Sequence, residues 1–151
     1  MVLCCLIIAV MSRCSSYVGK SLKGGVQTLL LAPGCKRVGS ILHELNHAVG
    51  FHHEHKRTDR DNYIIIHMDR IKPNKTHNFE MLKPKDEKIL DDFDYNSIML
   101  YYHDYFAINK TLYTIETLDG TKLEEVHNKT LSQSDIKRIN RLYNCPKKYL
   151  Q

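Results

Sequence analysis

The sequence predicts an α+β fold, in which short strands near the N-terminus precede two amphipathic helices. Short apolar runs bounded by Gly and Pro occupy the first part of the chain, as expected for strands. Further on, apolar residues recur at helical spacing in two separate stretches. With 151 residues, 42% of them hydrophobic and 26% charged, the composition is that of a globular protein, and we expect one domain over residues 1–151.

The first predicted strand lies in the apolar segment "MVLCCLIIAV". This segment is too short to cross a bilayer, and it lacks the basic region and clear cleavage site of a secretory signal. We therefore expect no transmembrane span. A truncated signal-like segment and a buried strand remain as alternatives, and the β-branched residues of 7–10 favour the strand. "SYVGK" and "VQTLLLA" are predicted as further short strands, with a turn at 23–25 between them.

Two helices are predicted from their spacing and their end signals. The first begins at Ser40 as the N-cap and ends at Gly50. Its apolar residues fall at i, i+4, i+7 and i+8, on one face: Ile41, Leu45, Ala48 and Val49. The second begins at Ser132, with Asp135 spaced as in a capping box. Its apolar residues also share one side: Ile136, Ile139 and Leu142 or Tyr143.

The charge pattern argues against nucleic-acid binding. The chain has 22 Lys+Arg against 17 Asp+Glu, a net charge of +5, but the basic residues are scattered and form no run that would follow a phosphate backbone. We therefore expect a solvated, mildly basic surface and no nucleic-acid partner.

Cysteines and sequons bear on the compartment. The five cysteines include no C-x-x-C pair, so neither a zinc ribbon nor a thioredoxin-like site is indicated, and buried free thiols stay an open alternative. Three Asn-Lys-Thr sequons favour a secreted glycoprotein, and secretion favours disulfides. The sequon asparagines are Asn74, Asn109 and Asn128.

The stretch "ILHELNHAVGFHHEH" predicts a metal site. His43 and His47 are four residues apart, so both imidazoles project from one face of the helix and can hold one ion. Glu44 lies about 100° further round the helix, beside the ion, where it can act as a general base on water. Gly50 can turn the chain back and bring in His53 as a third ligand. Three histidines and one open position are typical of catalytic zinc.

The full pattern H-E-x-x-H-x-x-G-x-x-H is a far more specific sign of a metal site than H-E-x-x-H alone. At average residue usage, H-E-x-x-H-x-x-G-x-x-H arises by chance on the order of once in 10⁵ chains of this length. The remaining histidines fit better on the surface or in positions that support the site. They are His52, His55, His67, His77, His103 and His127.

This extended motif followed by a later Met-turn is the metzincin signature, and the chain resembles the astacin family within that clan. The resemblance is carried by "GFHHEHKRTDRDNY", "CSSYVGK", "DFDYNSIMLYY" and "LSQSDIKRINRLYNC", from about residue 14 to 145. It implies a metzincin-like zinc protease domain with a zinc-binding helix, a C-terminal helix and a truncated upper subdomain sheet. Family members are longer at the N-terminus.

The resemblance also implies roles for single residues. His43, His47 and His53 become the ligands of one catalytic Zn²⁺, and Glu44 becomes the general base. Met99 corresponds to the Met-turn residue beneath the metal. Tyr101 corresponds to the tyrosine that moves between the zinc and the transition-state oxyanion. Without this resemblance, we would assign Met99 to the core and Tyr101 to the core or to an interface.

Further implied features concern the surroundings of the site. A residue matching Glu54 anchors the mature N-terminus in the family, and a strand matching Ser15 to Val18 pairs with an extended peptide substrate. Cysteines matching Cys14 and Cys35 form a disulfide. The chain departs from the family in having Leu100 after the Met-turn methionine and Ser15 where an aromatic residue is common. Cys4 or Cys5 is expected to replace the usual partner of Cys145.

The leading hypothesis is thus a secreted, extracellular zinc endopeptidase that cleaves extended protein or peptide substrates. One alternative is a truncated, catalytically inactive relic that still binds zinc or a protein. Retention of Glu44 and Tyr101 favours the enzyme, because a relic need not keep them. The other alternative is a secreted binding module, supported only by the sequons.

Overall fold

A computed structural model describes residues 6–20 and 25–146 of the chain. This part contains two α-helices, α1 (Val38–Val49) and α2 (Gln133–Tyr143). It also contains two small sheets, formed by β1 (Leu6–Val10) with β2 (Gln27–Leu31) and by β3 (Ile64–Ile66) with β4 (Ile115–Thr117). Short 3-10 turns occupy much of the remaining chain. The predicted α+β class is confirmed.

The first sheet confirms two of the predicted strands but not the predicted burial of one of them. β1 and β2 pair in parallel, from Leu6 opposite Gln27 to Val10 opposite Leu31. β2 alternates buried and half-buried residues, with Leu29 fully enclosed. β1 is an outer strand, and the side chain of Val10 is 68% exposed. The predicted turn at 23–25 lies largely outside the described residues.

The predicted strand in "SYVGK" is not formed. Only Ser15 makes a bridge, antiparallel to Leu30, with N–H to O distances of 3.1 and 2.9 Å. Beyond it the chain bends at Gly19, whose φ of 71° suits glycine. The Gly19 N–H donates to the carbonyl of His47 at 2.8 Å, so the segment ends against the last turn of α1 and does not extend the sheet.

Helix α1 begins two residues before the predicted N-cap. Ser40 lies inside the helix, and the observed N-cap, Arg37, makes no side-chain capping bond. The first turn packs on the backbone of the later segment 126–129, because a Cβ at Gly39 would overlap the carbonyl oxygen of Val126. Tertiary contact therefore sets the helix start. The predicted end at Gly50 is confirmed, with φ at 120° and its N–H bonded to helix carbonyls.

Helix α2 has the predicted capping box. The Ser132 hydroxyl accepts from the Asp135 N–H at 2.9 Å, and the Asp135 carboxylate accepts from the Ser132 N–H at 3.0 Å. The buried positions of this helix are polar, however. Asp135 and Arg138 are enclosed, whereas Ile136 is 39% exposed. The apolar side that the sequence suggests is therefore not the most buried side.

Two apolar clusters support the centre of the molecule. The larger one lies under the second sheet: Ile64, Ile71, Phe79, Phe93, Leu100, Ile115 and Leu123. The smaller one consists of Ile98, Met99 and Val126, and it packs on Leu42 of α1. The helix that carries the histidines is thus fixed from below by the chain around Met99.

The cysteines are described in part. Cys14 and Cys35 form a disulfide with a Cα–Cα distance of 6.3 Å, which confirms that pairing. Within the described ranges Cys145 has no disulfide partner, and Cys4 and Cys5, its expected partners, lie outside them. No helix in those ranges is long and apolar enough to cross a membrane.

Candidate active site

Three imidazoles converge at the C-terminal half of α1. The Nε2 atom of His53 lies 3.2 Å from Nε2 of His47 and 3.2 Å from Nε2 of His43. The four-residue spacing places the first two rings on one face of the helix. The turn at Gly50 then returns the chain so that His53 approaches the same point.

Backbone carbonyls fix the tautomer of two of these rings. Nδ1 of His43 lies 2.8 Å from the Ile98 oxygen, and Nδ1 of His47 lies 2.8 Å from the Phe51 oxygen. A carbonyl oxygen can only accept a hydrogen bond, so each Nδ1 must carry the proton. Each Nε2 then presents a lone pair towards the centre of the cluster.

The cluster fits a zinc ion. Tetrahedral zinc with Zn–N bonds of about 2.0–2.1 Å separates its ligand nitrogens by roughly 3.3 Å, close to the observed spacing. Without a cation, two inward lone pairs on neighbouring rings would repel each other, because the single Nε2 of His53 can donate to only one of them. Burial lowers the pKa of His43 and His53, and that of His47 to about 4, which keeps the imidazoles neutral and able to bind a metal.

Glu44 lies beside the histidines. It is 7% exposed and lines the same cavity as the three imidazoles. Its carboxylate accepts from the backbone N–H of Ser16, but its Oε2 atom has no hydrogen-bond partner among the described residues. Burial raises the pKa of Glu44 to about 7. A buried carboxylate oxygen without a partner is suited to hold a polar group such as a water.

The turn around Met99 supports the cluster from below. Met99 is 2% exposed and packs in the smaller apolar cluster, and its carbonyl accepts from the N–H of Glu54 at 3.0 Å. Ile98, directly before it, supplies the carbonyl that orients His43. This segment therefore joins the first and third histidines, as the expected Met-turn position would require.

Tyr101 stands next to His53, with ring centroids 4.4 Å apart. Other aromatic rings surround it: His55, Phe79, Tyr105 and Phe106. Burial, with smaller contributions from Tyr105 and Glu44, raises its pKa to about 12, so the phenol keeps its proton. Tyr101 is thus a hydrogen-bond donor at the edge of the histidine cluster.

His55 is one of the histidines predicted to lie on the surface or in a position that supports the site. It is fully buried, not on the surface, and its ring lies 4.1 Å from that of Tyr101. Its Nε2 bonds the Asn78 carbonyl at 3.1 Å. The remaining histidines, His52, His67, His77, His103 and His127, are half-buried or exposed and stand outside the cluster.

A buried ion-pair network that the sequence did not indicate lies below His53. Arg138 donates to Glu54 through both terminal guanidinium nitrogens, at 2.6 and 2.7 Å, and Arg57 donates to the same carboxylate at 3.0 Å. Burial raises the pKa of Glu54, and the two arginines oppose that rise. The network ties α2 to the turn directly after His53. The charges of α2 do not indicate in the sequence that Arg138 pairs with Glu54, which lies 84 positions earlier.

Two cavities adjoin the cluster and share His43, Glu44 and Tyr101. The larger, of about 420 Å³, is also lined by Ser15, Ser16 and Val18 of the segment before β2. The smaller, of about 190 Å³, lies against the Cys14–Cys35 disulfide and Val126. His43 and Glu44 therefore lie where the two recesses meet.

Comparisons with known proteins agree with this geometry. The family model described as Astacin, a peptidase family, matches residues 5–144. Astacin-like metalloprotease toxin 1 of Loxosceles intermedia is 45% identical over 144 residues, covering 92% of this chain and 54% of that protein. The dorsal-ventral patterning protein tolloid of Drosophila melanogaster is 40% identical over 136 residues, covering 87% of this chain and 13% of that protein.

A solved structure of a zinc-protease has a similar fold. High choriolytic enzyme 1, a hatching enzyme zinc-protease of Oryzias latipes, superposes with a TM-score of 0.84 at 37% identity. The match covers 93% of this chain and 69% of that one. The chain spans about half the length of the Loxosceles intermedia toxin that it matches.

Proposed function

Because the chain belongs to the astacin family of peptidases, we propose that it is a zinc-dependent endopeptidase. The observation that carries this proposal is the convergence of three imidazoles, with Nε2 of His53 at 3.2 Å from Nε2 of both His43 and His47, beside the unpartnered oxygen of Glu44. Structural zinc sites usually fill all four positions with protein ligands. A three-histidine set next to a carboxylate suits a reaction on a bound peptide.

His43, His47 and His53 are proposed to hold the zinc. A bound zinc ion supplies a Lewis acid, which lowers the pKa of a water and polarises a carbonyl. The bonds from Nδ1 of His43 and His47 to backbone carbonyls orient the rings and make their Nε2 atoms better donors to a metal.

Glu44 is proposed to be the general base. Its free Oε2 atom can accept a hydrogen bond from the attacking water, take the proton, and pass that proton to the departing amine. Burial supports this role, since a carboxylate poised near neutral pH exchanges a proton readily in both directions.

Tyr101 is proposed to donate a hydrogen bond to the oxyanion that forms from the scissile carbonyl. Its phenol stays protonated at neutral pH, and the ring is held between His53 and His55 at the edge of the cleft. A donor that meets the oxyanion only as charge develops stabilises the transition state more than the substrate.

The substrate is proposed to be an extended peptide that lies along residues 15–18. Ser15, Ser16 and Val18 of this segment line the larger cavity, and Ser15 forms an antiparallel bridge with Leu30. We also propose that the protein is secreted. The disulfide fits an oxidising compartment, and all three sequon asparagines are exposed.

Metal removal tests the proposal. Purified protein should hydrolyse an unstructured protein such as casein, lose this activity on treatment with a zinc chelator, and regain it on addition of one equivalent of zinc but not of magnesium. Hydrolysis that persists in metal-free protein would overturn the proposal. Tight zinc binding without any hydrolysis would instead support the inactive, zinc-binding alternative.

A further inference from the structure

Lys129 is a buried charged residue that the proposed chemistry does not use. It is 6% exposed, and its ammonium donates to the backbone carbonyl of Ser97 at 2.9 Å. Ser97 is fully buried and directly precedes Ile98, whose carbonyl orients His43. Lysine is almost never enclosed unless its charge meets a partner inside the protein, so this contact is the first clue to its role.

The backbone of Lys129 is fixed against α1. Lys129 follows the 3-10 turn Val126–Asn128, and its N–H donates to the Val126 carbonyl at 3.1 Å. Its own carbonyl would lie 2.7 Å from a Cβ at Gly39, so this segment packs closely on the first turn of the helix. Val126 also packs with Ile98 in the smaller apolar cluster. The side chain of Lys129 therefore reaches Ser97 from an anchored backbone.

Two opposite charges hold the two ends of one peptide unit. The Ser97 carbonyl and the Ile98 N–H belong to the same planar peptide. The carbonyl accepts from the Lys129 ammonium at 2.9 Å, and the N–H donates to the Asp135 carboxylate at 2.9 Å. The negative end of the peptide dipole faces the cation and the positive end faces the anion. Both charge-assisted bonds therefore favour the same orientation of this plane.

The orientation of this peptide decides where the next carbonyl points. The Ile98 carbonyl follows the held plane by one residue and accepts from Nδ1 of His43 at 2.8 Å. The Ser97 hydroxyl adds a further bond to Asp135 at 2.7 Å. If the plane rotated, the Ile98 carbonyl would leave its position on Nδ1, and the imidazole would lose the contact that fixes its tautomer.

The charges around this peptide agree with the arrangement. Burial lowers the pKa of His43 and the bond to Ile98 opposes that fall, while Lys129 lowers the pKa and Asp135 raises it. Burial also lowers the pKa of Lys129, and the charge of Asp135 opposes this. Lys129 thus offsets, at His43, the negative charge that holds the other end of the peptide.

Resting on the proposed role of His43 as a zinc ligand, we propose that Lys129 is a positioning residue of the metal site. Together with Asp135 it holds the Ser97–Ile98 peptide, so that the Ile98 carbonyl stays on Nδ1 and the Nε2 lone pair of His43 stays directed at the zinc. Groups that bond the second nitrogen of a metal-bound histidine change metal affinity by roughly 10- to 100-fold. Lys129 acts one bond further out, so we expect the lower end of that range.

The sign of a change in zinc affinity tests this inference. Lys129→Met keeps the apolar stem of the side chain but removes the ammonium. If Lys129 acted only as a nearby charge, its loss would relieve repulsion of the metal cation and tighten zinc binding. If it positions His43, Kd for zinc, measured by competition with a chromophoric chelator, should rise about tenfold. Unchanged or tighter zinc binding would overturn the inference.

Leu123→Ala separates positioning from a general loss of stability. Leu123 is buried in the larger apolar cluster, so its truncation should lower the midpoint of urea unfolding while Kd for zinc stays unchanged. The absorption spectrum of cobalt-loaded protein, which reports the geometry of the ligands, should change in Lys129→Met and not in Leu123→Ala. Equal changes in Kd and in spectrum in the two variants would overturn the inference.

Lys129→Gln provides the same test if Lys129→Met does not fold. The amide keeps a polar N–H donor for the buried site, but it lacks the charge and is shorter than lysine. We expect Kd for zinc to rise about threefold or more in this variant. A folded Lys129→Gln protein with the zinc affinity of the unaltered protein would overturn the inference.

The two proposals fail separately. Weaker zinc binding in Lys129→Met, with no hydrolysis by the zinc-loaded unaltered protein, refutes the endopeptidase function and leaves the role of Lys129 standing. Zinc-dependent hydrolysis together with a zinc Kd that Lys129→Met does not change refutes the role of Lys129 alone.

Discussion

Nδ1 of His43 donates to the carbonyl oxygen of Ile98 at 2.8 Å, so the first proposed zinc ligand is oriented by a residue 55 positions later in the chain. The N–H of Ile98 in turn donates to the carboxylate of Asp135 in α2 at 2.9 Å. One chain of hydrogen bonds therefore runs from α1 through Ile98 to α2. The geometry of the site depends on both helices.

The close contact at Gly39 predicts a steric cost. In Gly39→Ala the new Cβ would overlap the Val126 carbonyl and lie 2.7 Å from that of Lys129, so α1 or the segment 126–129 must shift. We expect a loss of about 3 kcal/mol in the free energy of unfolding, measured by urea denaturation. Gly34→Ala is the control, since nothing lies within 4 Å of its Cβ position and its φ is not positive. Equal losses in the two variants would contradict the contact.

Asp91 predicts a pH-dependent contribution to stability. Although burial opposes the shift, bonds from Lys137, at 2.5 Å, and from Ser134 lower the pKa of Asp91 to about 2. A depressed carboxylate pKa stabilises the folded state above the unfolded pKa of about 3.9, and this stabilisation is lost as the pH falls towards 2. Asp91→Asn should therefore destabilise the protein at pH 6, and its deficit should shrink by pH 3. A deficit that is constant with pH would show that the charge of Asp91 is not responsible.

The sequence predicted the parts of the molecule that depend on short-range spacing. Glu44 and the first two histidines share a helix, and the capping box of α2 spans four residues, so local geometry decides both. It did not predict the start of α1, which is set by packing of Gly39 on a distant segment. Nor could it predict burial of Arg138, because its partner Glu54 lies 84 positions away. Contacts between distant parts of the chain have no periodic signal.

Loss of one histidine should release the metal. In His47→Ala two protein ligands remain, and two imidazoles make a poor zinc site. We expect most of the zinc to be lost on dialysis, as measured by atomic absorption on folded protein. His77→Ala is the control, because this histidine is exposed and lies outside the cluster. Full zinc content in His47→Ala would refute the ligand assignment.

Tyr101→Phe separates catalysis from packing. Phenylalanine fills the same aromatic surroundings but cannot donate to an oxyanion. If the bond forms only in the transition state, kcat should fall by roughly 10²-fold, about 2.7 kcal/mol, with KM and zinc content nearly unchanged. Tyr113→Phe, at a half-exposed tyrosine, serves as the control. Activity close to that of the unaltered protein would make Tyr101 a packing residue.

Glu44 is proposed to activate water at a three-histidine zinc site, and the Glu44→Gln variant separates that role from metal binding. The amide keeps the size of the side chain and can still hydrogen-bond a water, but it cannot take the proton. Zinc content and peptide hydrolysis should be measured on the same preparation of this variant. We expect one zinc per chain and hydrolysis reduced to background. One zinc per chain with hydrolysis near that of the unaltered protein would contradict it.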